Sequence, residues 1–224
     1  QLAAHLDCVS VERIEEELAK LLSAPAPATY LDEKILNVIL PELSGPALQA
    51  AKPVVDACPA GSENLPVRWA ALLHSLGEGG TRRALKRLRC SNACIEETAV
   101  LVRECEKQLP AHPSEAFVIY TRQLLGKYDL RTVRRLAALG TAMEPQRAAE
   151  FAVLASLAEG LDADGVCCRV SQLAVNGRDL MAVGIPAGPG LRKTLEALLD
   201  AVIREQLPNQ QQSLLDAARE ISAS

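Results

Sequence analysis

A chain of 224 residues, 49% hydrophobic and 23% charged, can bury a core as one large domain or two small ones, and its composition excludes the low-hydrophobicity class of disordered chains. A net charge of −4 speaks against a uniformly basic nucleic-acid binder, and 3% aromatic residues against a platform that stacks unpaired bases. No apolar run approaches the roughly 20 residues of a membrane span, and no signal-peptide pattern opens the chain, so a cytoplasmic protein is expected.

The first helical pattern follows Ser10, a candidate N-cap, with Val11, Ile14, Leu18, Leu21 and Leu22 at helical spacing. The Ala-Pro-Ala-Pro run at 24–27 ends it. Further helices are predicted over 30–40, 47–57, 66–76, 81–88, 92–107, 114–125, 130–142 and 145–158. Their breaks are Pro41, Pro59, the cluster Gly77 to Gly80, Pro110, Pro113, Gly126, Gly140 and Gly160. Period-2 alternation persists nowhere, so no sheet is predicted. Beyond Gly165 the pattern shortens: Asn176 caps a helix over 177–183, Gly184 ends it in the left-handed conformation, and 185–190 makes a glycine/proline corner. Helices over 191–204 and 209–221 complete an all-α chain.

Seven cysteines (Cys8, Cys58, Cys90, Cys94, Cys105, Cys167, Cys168), odd in number and mostly inside apolar helical patterns, read as reduced packing residues. Cys90, Cys94 and Cys105 lack the knuckle spacing and fourth ligand of a structural zinc site. Vicinal Cys167 and Cys168 likewise read as packing. His74 precedes Ser75 where a metal phosphohydrolase would place an aspartate, and the other histidines are only His5 and His112, so a structural histidine is expected. Asp162-Ala163-Asp164 imitates a metal-binding carboxylate pair, but in a loop after Leu161 with no glycine loop or apolar strand before it. No catalytic or metal-binding residue is expected.

The cations are concentrated. Arg82, Arg83, Lys86, Arg87 and Arg89 form a block without an acid, and Arg131, Arg134 and Arg135 share a helix face with Arg122 and Lys127 nearby in sequence. A chain of net negative charge needs such patches if it is to neutralise phosphates. At the corner, Gly188 and Gly190 leave bare backbone at a helix N-terminus that favours an anion, and Arg192 and Lys193 add charge.

The run Leu173-Ala174-Val175-Asn176-Gly177-Arg178-Asp179-Leu180-Met181, followed by Gly184-Ile185-Pro186-Ala187-Gly188-Pro189, the stretch 195–202 and Leu207-Pro208-Asn209, resembles the C-terminal signature of bacterial CCA-adding tRNA nucleotidyltransferases and their poly(A) polymerase relatives. Word order and spacing match over roughly 40 residues. Looser likeness covers Glu12-Arg13-Ile14, Leu40-Pro41-Glu42-Leu43, 68–77 and 85–92.

The resemblance implies the end of a neck at 1–26, a helical body at 27–112 and a body-to-tail, tRNA-binding region at 113–224, with a helix-hairpin-helix-like corner. It implies a catalytic head, using Mg2+ with CTP and ATP, of which this chain has no trace. A chain that opens on Gln1 rather than methionine is expected to be part of that longer polypeptide. The implied role is to position the tRNA acceptor stem and elbow for the head, with Asn176 and Arg178 joining the two cation groups, Gly188, Gly190, Arg192 and Lys193 as RNA contacts. Competing readings are the same region of a poly(A) polymerase and a helical interaction module without an RNA role.

Overall fold

The computed structural model describes residues 9–43 and 45–223, with side chains described up to Ile221. His5 and Cys8 lie outside the described residues. Among those described there is no strand, and no helix is long and apolar enough to cross a membrane.

The helices are α1 Val11–Ser23, α2 Glu33–Ile39, α3 Gly45–Ala57, α4 Leu65–Leu73, α5 Gly77–Arg87, α6 Asn92–Cys105, α7 Glu115–Lys127, α8 Leu130–Met143, α9 Ala148–Ala163, α10 Gly177–Ala182, α11 Pro189–Ile203 and α12 Gln211–Ala223, joined in part by short 3-10 turns. They form two compact units. Unit 1 is drawn from Gln1–Gln108 and Arg134–Val153, and unit 2 from Leu109–Val133 and Leu154–Ser224. The chain therefore changes unit within α8 and again within α9.

Unit 1 is organised around α4. Every residue from Pro66 to Leu73 is buried, as expected of a helix apolar on all sides, and α1, α3, α5 and α6 pack on it. Its one charged residue is Arg68, 2% exposed. The guanidinium donates to the carbonyls of Leu22 at 2.6 Å and Ala24, at the end of α1, and of Cys58 and Pro59, both at 2.9 Å, just past α3. Carbonyls at helix ends lack intrahelical donors and carry the negative end of the dipole, so one cation satisfies two helix ends at once.

Unit 2 is built on Leu173, Val175, Leu180, Ile185, Leu198, Val202, Leu214 and Ala218, which form a buried cluster. Asn176 accepts from the amides of Arg178 and Asp179, and Asp179 accepts in return from the amide of Asn176 at 2.8 Å, a reciprocal capping box. Gly184 has φ +100, the amide of Ile185 donates to Leu180 and that of Gly184 to Met181, which is the Schellman pattern, and Leu180 and Ile185 meet in the core. Both ends of α10 are where the sequence places them.

Several glycine positions differ from the sequence reading: Gly126 and Gly140, expected as breaks, lie inside α7 and α8, where each lets another part of the chain approach closely. The cluster Gly77 to Gly80 breaks the chain at Gly77, φ +63, after the turn ending at Leu76, but its other residues already form the first turn of α5, and a Cβ on buried Gly80 would lie 2.8 Å from Leu76 Cβ, so that glycine serves close packing. Gly160 also lies inside a helix. The stop of α9 is Gly165, at φ +63, with the amide of Val166 donating to Leu161. The triplet Asp162-Ala163-Asp164 is therefore not in a loop: Asp162 and Ala163 belong to the last turn of α9. Acids at a helix C-terminus oppose the dipole, and Arg169 stands 4.0 Å from Asp162.

Replacing Arg68 with Met removes the donor from four carbonyls, two of them, Leu22 and Cys58, in buried hydrogen bonds. Urea unfolding followed by the fluorescence of Trp69, the chain's single tryptophan and fully buried, is expected to show unit 1 less stable by about 3 kcal/mol or more.

Candidate nucleic-acid interface

The sixteen RNA-contact residues expected from the sequence divide by what their side chains already hold. In unit 1, Arg82 pairs with Glu78 at 3.0 Å and with Glu96, which holds its pKa up, while those hydrogen bonds hold Glu96 down. Arg87 pairs with Glu42 at 2.6 Å and donates to the carbonyl of Ile39 at the end of α2. Arg89 pairs with Glu12, the second residue of α1. Arg135 is bound to Glu97 and to the carbonyl of Glu63. Arg83 and Lys86 are exposed, and neither takes part in an ion pair among the described residues. The block that reads as acid-free in sequence is thus interleaved in space with acids from α1, α5, α6 and the end of α2.

In unit 2, Arg122 donates to the carbonyl of Ile203 at 3.0 Å and to Glu205 at 2.8 Å, tying α7 to the end of α11. Arg192 pairs with Glu196 one turn along α11. Arg178 and Lys193 are exposed and in no ion pair among the described residues. Arg131 and, in unit 1, Arg134 are exposed on α8. Gly188, at φ +139, stands before Pro189 at the start of α11, and a Cβ on Gly188 or Gly190 would meet nothing within 4 Å. The corner backbone is bare.

A groove of about 630 Å3 runs between α7 and α11 and brings Lys127 and Arg192 together with Arg169. Sequence reasoning missed Arg169. Its guanidinium donates to the carbonyls of Leu125 at 3.0 Å and Tyr128 at 3.4 Å, at the end of α7. The stretch of chain that carries it lies hard against α7, because a Cβ on Gly126 would sit 2.4 Å from the carbonyl oxygen of Cys168. A glycine in the last turn of a helix, with an arginine after a vicinal cysteine pair, is a faint signal for such an approach.

The motif residue Asn209 also acquires a role. Its side chain accepts from the amide of Ala174 at 2.8 Å and donates to the carbonyl of Gln172 at 3.0 Å, so the segment before α12 is laced to the segment before α10. These bonds satisfy backbone groups that no helix satisfies.

The remaining reactive side chains are packing residues. His74 is half-buried, with Nδ1 2.8 Å from the carbonyl of Ala71. All six described cysteines are free thiols, and burial pushes Cys58 and Cys90 from the ordinary 9.0 up to about 12 and Cys105 to about 11. Among the described residues, no three His, Cys, Asp or Glu side chains group as metal ligands would.

The sequence matches the family described as tRNA nucleotidyltransferase domain 2 over residues 63–218. It is 31% identical to a CCA-adding enzyme of Geobacillus thermodenitrificans over 95% of this chain and 50% of that enzyme. A CCA-adding enzyme of Limosilactobacillus fermentum is 32% identical over 99% of this chain and 53% of its own length. That of Geobacillus stearothermophilus is 31% identical over 95% and 50%. The chain thus spans about half the length of the curated relatives it matches. No solved structure matches it.

Two outcomes are expected from this geometry. Asn209→Ala gives up the amide of Ala174 and the carbonyl of Gln172 to water, and unit 2 should unfold at a slightly lower temperature, a loss of about 1 kcal/mol or less. Iodoacetamide at pH 8 should alkylate Cys58 and Cys90 in the folded chain far more slowly than in urea, since the thiolate is the nucleophile. The linkage has a sign: the folded thiols titrate above the unfolded ones, so their contribution is intact below about 9.0 and is lost as pH rises toward 12.

Proposed function

This chain belongs to the tRNA nucleotidyltransferase domain 2 family, and we propose from that membership that it is the tRNA-gripping part of a CCA-adding enzyme. The C-terminal half of such enzymes is the part it matches. In this reading residues 1–26 end the neck, 27–112 form the body and 113–224 run from body to tail. The chain holds the acceptor stem and elbow of tRNA, while a catalytic head elsewhere in the polypeptide adds C, C and A with Mg2+, CTP and ATP. The enzyme works in the cytoplasm.

The observation that carries the reading is the corner between α10 and α11. A capping box and a Schellman stop fix α10, and Gly188 and Pro189 then start α11 with bare backbone, Arg192 and Lys193 exposed beside it. Amides at a helix start with cations alongside hold phosphate without reading bases. That suits an enzyme that must treat every tRNA alike, since double-stranded RNA is recognised by shape and backbone. Positioning of this kind lowers the barrier by orienting the 3′ end before reaction. Metal chemistry falls to residues outside this chain.

A salt titration of tRNA binding tests it. The chain should bind folded tRNA more tightly than single strands, with log K falling linearly against log salt, and Arg192→Ala/Lys193→Ala and charge reversal at Arg131 and Arg134 should each flatten the slope. Absence of binding at low salt both by the folded chain and by the full-length polypeptide would leave a helical interaction module.

A further inference from the structure

We propose that the groove between α7 and α11 is a phosphodiester-binding subsite for an RNA strand, with Arg169 as a phosphate-binding residue. This rests on the RNA-binding reading above, and it assigns a residue that the basic clusters of the sequence do not include.

Availability decides which cations can serve. A phosphate can be bound cheaply only by a cation that need not abandon a carboxylate first. In the α5 block Arg82, Arg87 and Arg89 each hold a glutamate, which leaves Arg83 and Lys86 as its available cations, both on exposed side chains that no backbone carbonyl holds in place among the described residues. In the groove the balance differs. The two acids that line it are occupied, Glu196 by Arg192 at 2.8 Å and Asp200 by Arg204 at 2.7 Å. Lys127 is exposed and in no ion pair among the described residues. Arg169 has Nε and Nη2 on the carbonyls of α7, with Asp162 4.0 Å from Nη2, and Nη1 makes no hydrogen bond among the described residues.

Arg169 is also held in place. Two carbonyls fix one edge of the guanidinium plane, and the close approach of Gly126 to the carbonyl of Cys168 fixes the backbone before it. A cation immobilised before binding loses little side-chain entropy when the ligand arrives, and a planar guanidinium with a free nitrogen directs its N–H groups at phosphate oxygens. Lys127 supplies a mobile second charge, and Gln123 and Ser171 line the remaining wall. The ligand class follows: an anion on an extended polar backbone, long enough to cross a groove of about 630 Å3.

The experiment is tRNA binding by the intact chain at a series of salt concentrations, for the parent, Lys127→Gln, Arg169→Gln and, as a control in unit 1 outside the expected contacts, the exposed Lys34→Gln, which should keep the full slope. Removing one cation from the phosphates should reduce the slope of log K against log salt by roughly 0.7–0.9. Lys127→Gln is expected to show that reduction with an unchanged melting temperature. Arg169→Gln should show it together with some loss of stability in unit 2, because two carbonyls lose their donor; the slope is the readout that a merely structural role would not move. A parent that binds tRNA while both groove variants keep the full slope overturns the subsite and leaves the RNA reading standing. A parent that binds inorganic phosphate at Lys127 and Arg169, but no RNA, overturns both.

Discussion

One buried guanidinium holds unit 1 together. Arg68 sits in the helix on which α1, α3, α5 and α6 pack, and its partners are backbone carbonyls rather than a carboxylate. A buried ion pair gains mutual attraction at the cost of desolvating two charges. A cation among carbonyls desolvates one, and its partners are groups that would be unsatisfied in any case. The same device recurs at smaller scale. Arg87 caps α2 through Ile39, Arg122 caps α11 through Ile203, and Arg169 caps α7 through Leu125 and Tyr128. In a chain with few aromatic side chains to fill the gaps between helix ends, long planar cations do that work, bringing methylene packing and several donors at once.

Local chemistry was therefore legible in the sequence wherever the determinant and its partner are neighbours. Ser10 and Asn176, the two caps expected from the sequence, each bond to an amide two or three residues on, and Ser91 and Ser114 cap α6 and α7 in the same way. Gly184 stops α10 by its own conformational freedom. Glycine fails as a signal where its purpose is proximity, as at Gly80 and Gly126, because the neighbour it admits is not apparent from the local pattern. Two further helix stops, expected from the sequence near 88 and 204 and found there, use no glycine. Arg89 and Glu205 occupy left-handed C′ positions, φ +60 and +57, where glycine would be free of strain. In both cases the amide pattern is that of Gly184, and in both the side chain reaches a distant partner, Glu12 or Arg122. The strain is of order 1 kcal/mol, and a cross-helix ion pair offsets part of it.

The candidate site shows the same division. Sequence locates every cation but not its occupancy, since Glu42 is 45 residues from Arg87 and Glu12 is 77 from Arg89. Such pairs are exposed and each is worth little to stability. Their effect on binding is larger, because a phosphate that arrives must compete with a carboxylate already in place. The cations available to a ligand are accordingly fewer than composition suggests, and the corner at Gly188 and the groove at Arg169 matter because they add the bare amides at the start of α11, Lys193 and Lys127, which are unpaired among the described residues, and an Arg169 that Asp162 approaches only to 4.0 Å.

The interleaving of the two units carries a consequence for how the chain is made. Unit 1 needs Arg134–Val153, and that stretch leaves the ribosome after Leu109–Val133, which belongs to unit 2. The first unit thus waits for its last piece while the opening of the second has already emerged, and neither can be finished in the order of its synthesis. Domains that fold as uninterrupted stretches can be separated by a single cleavage or exchanged by recombination at one junction. This pair cannot: any single cut between residues 108 and 154 removes part of one unit or strands part of the other.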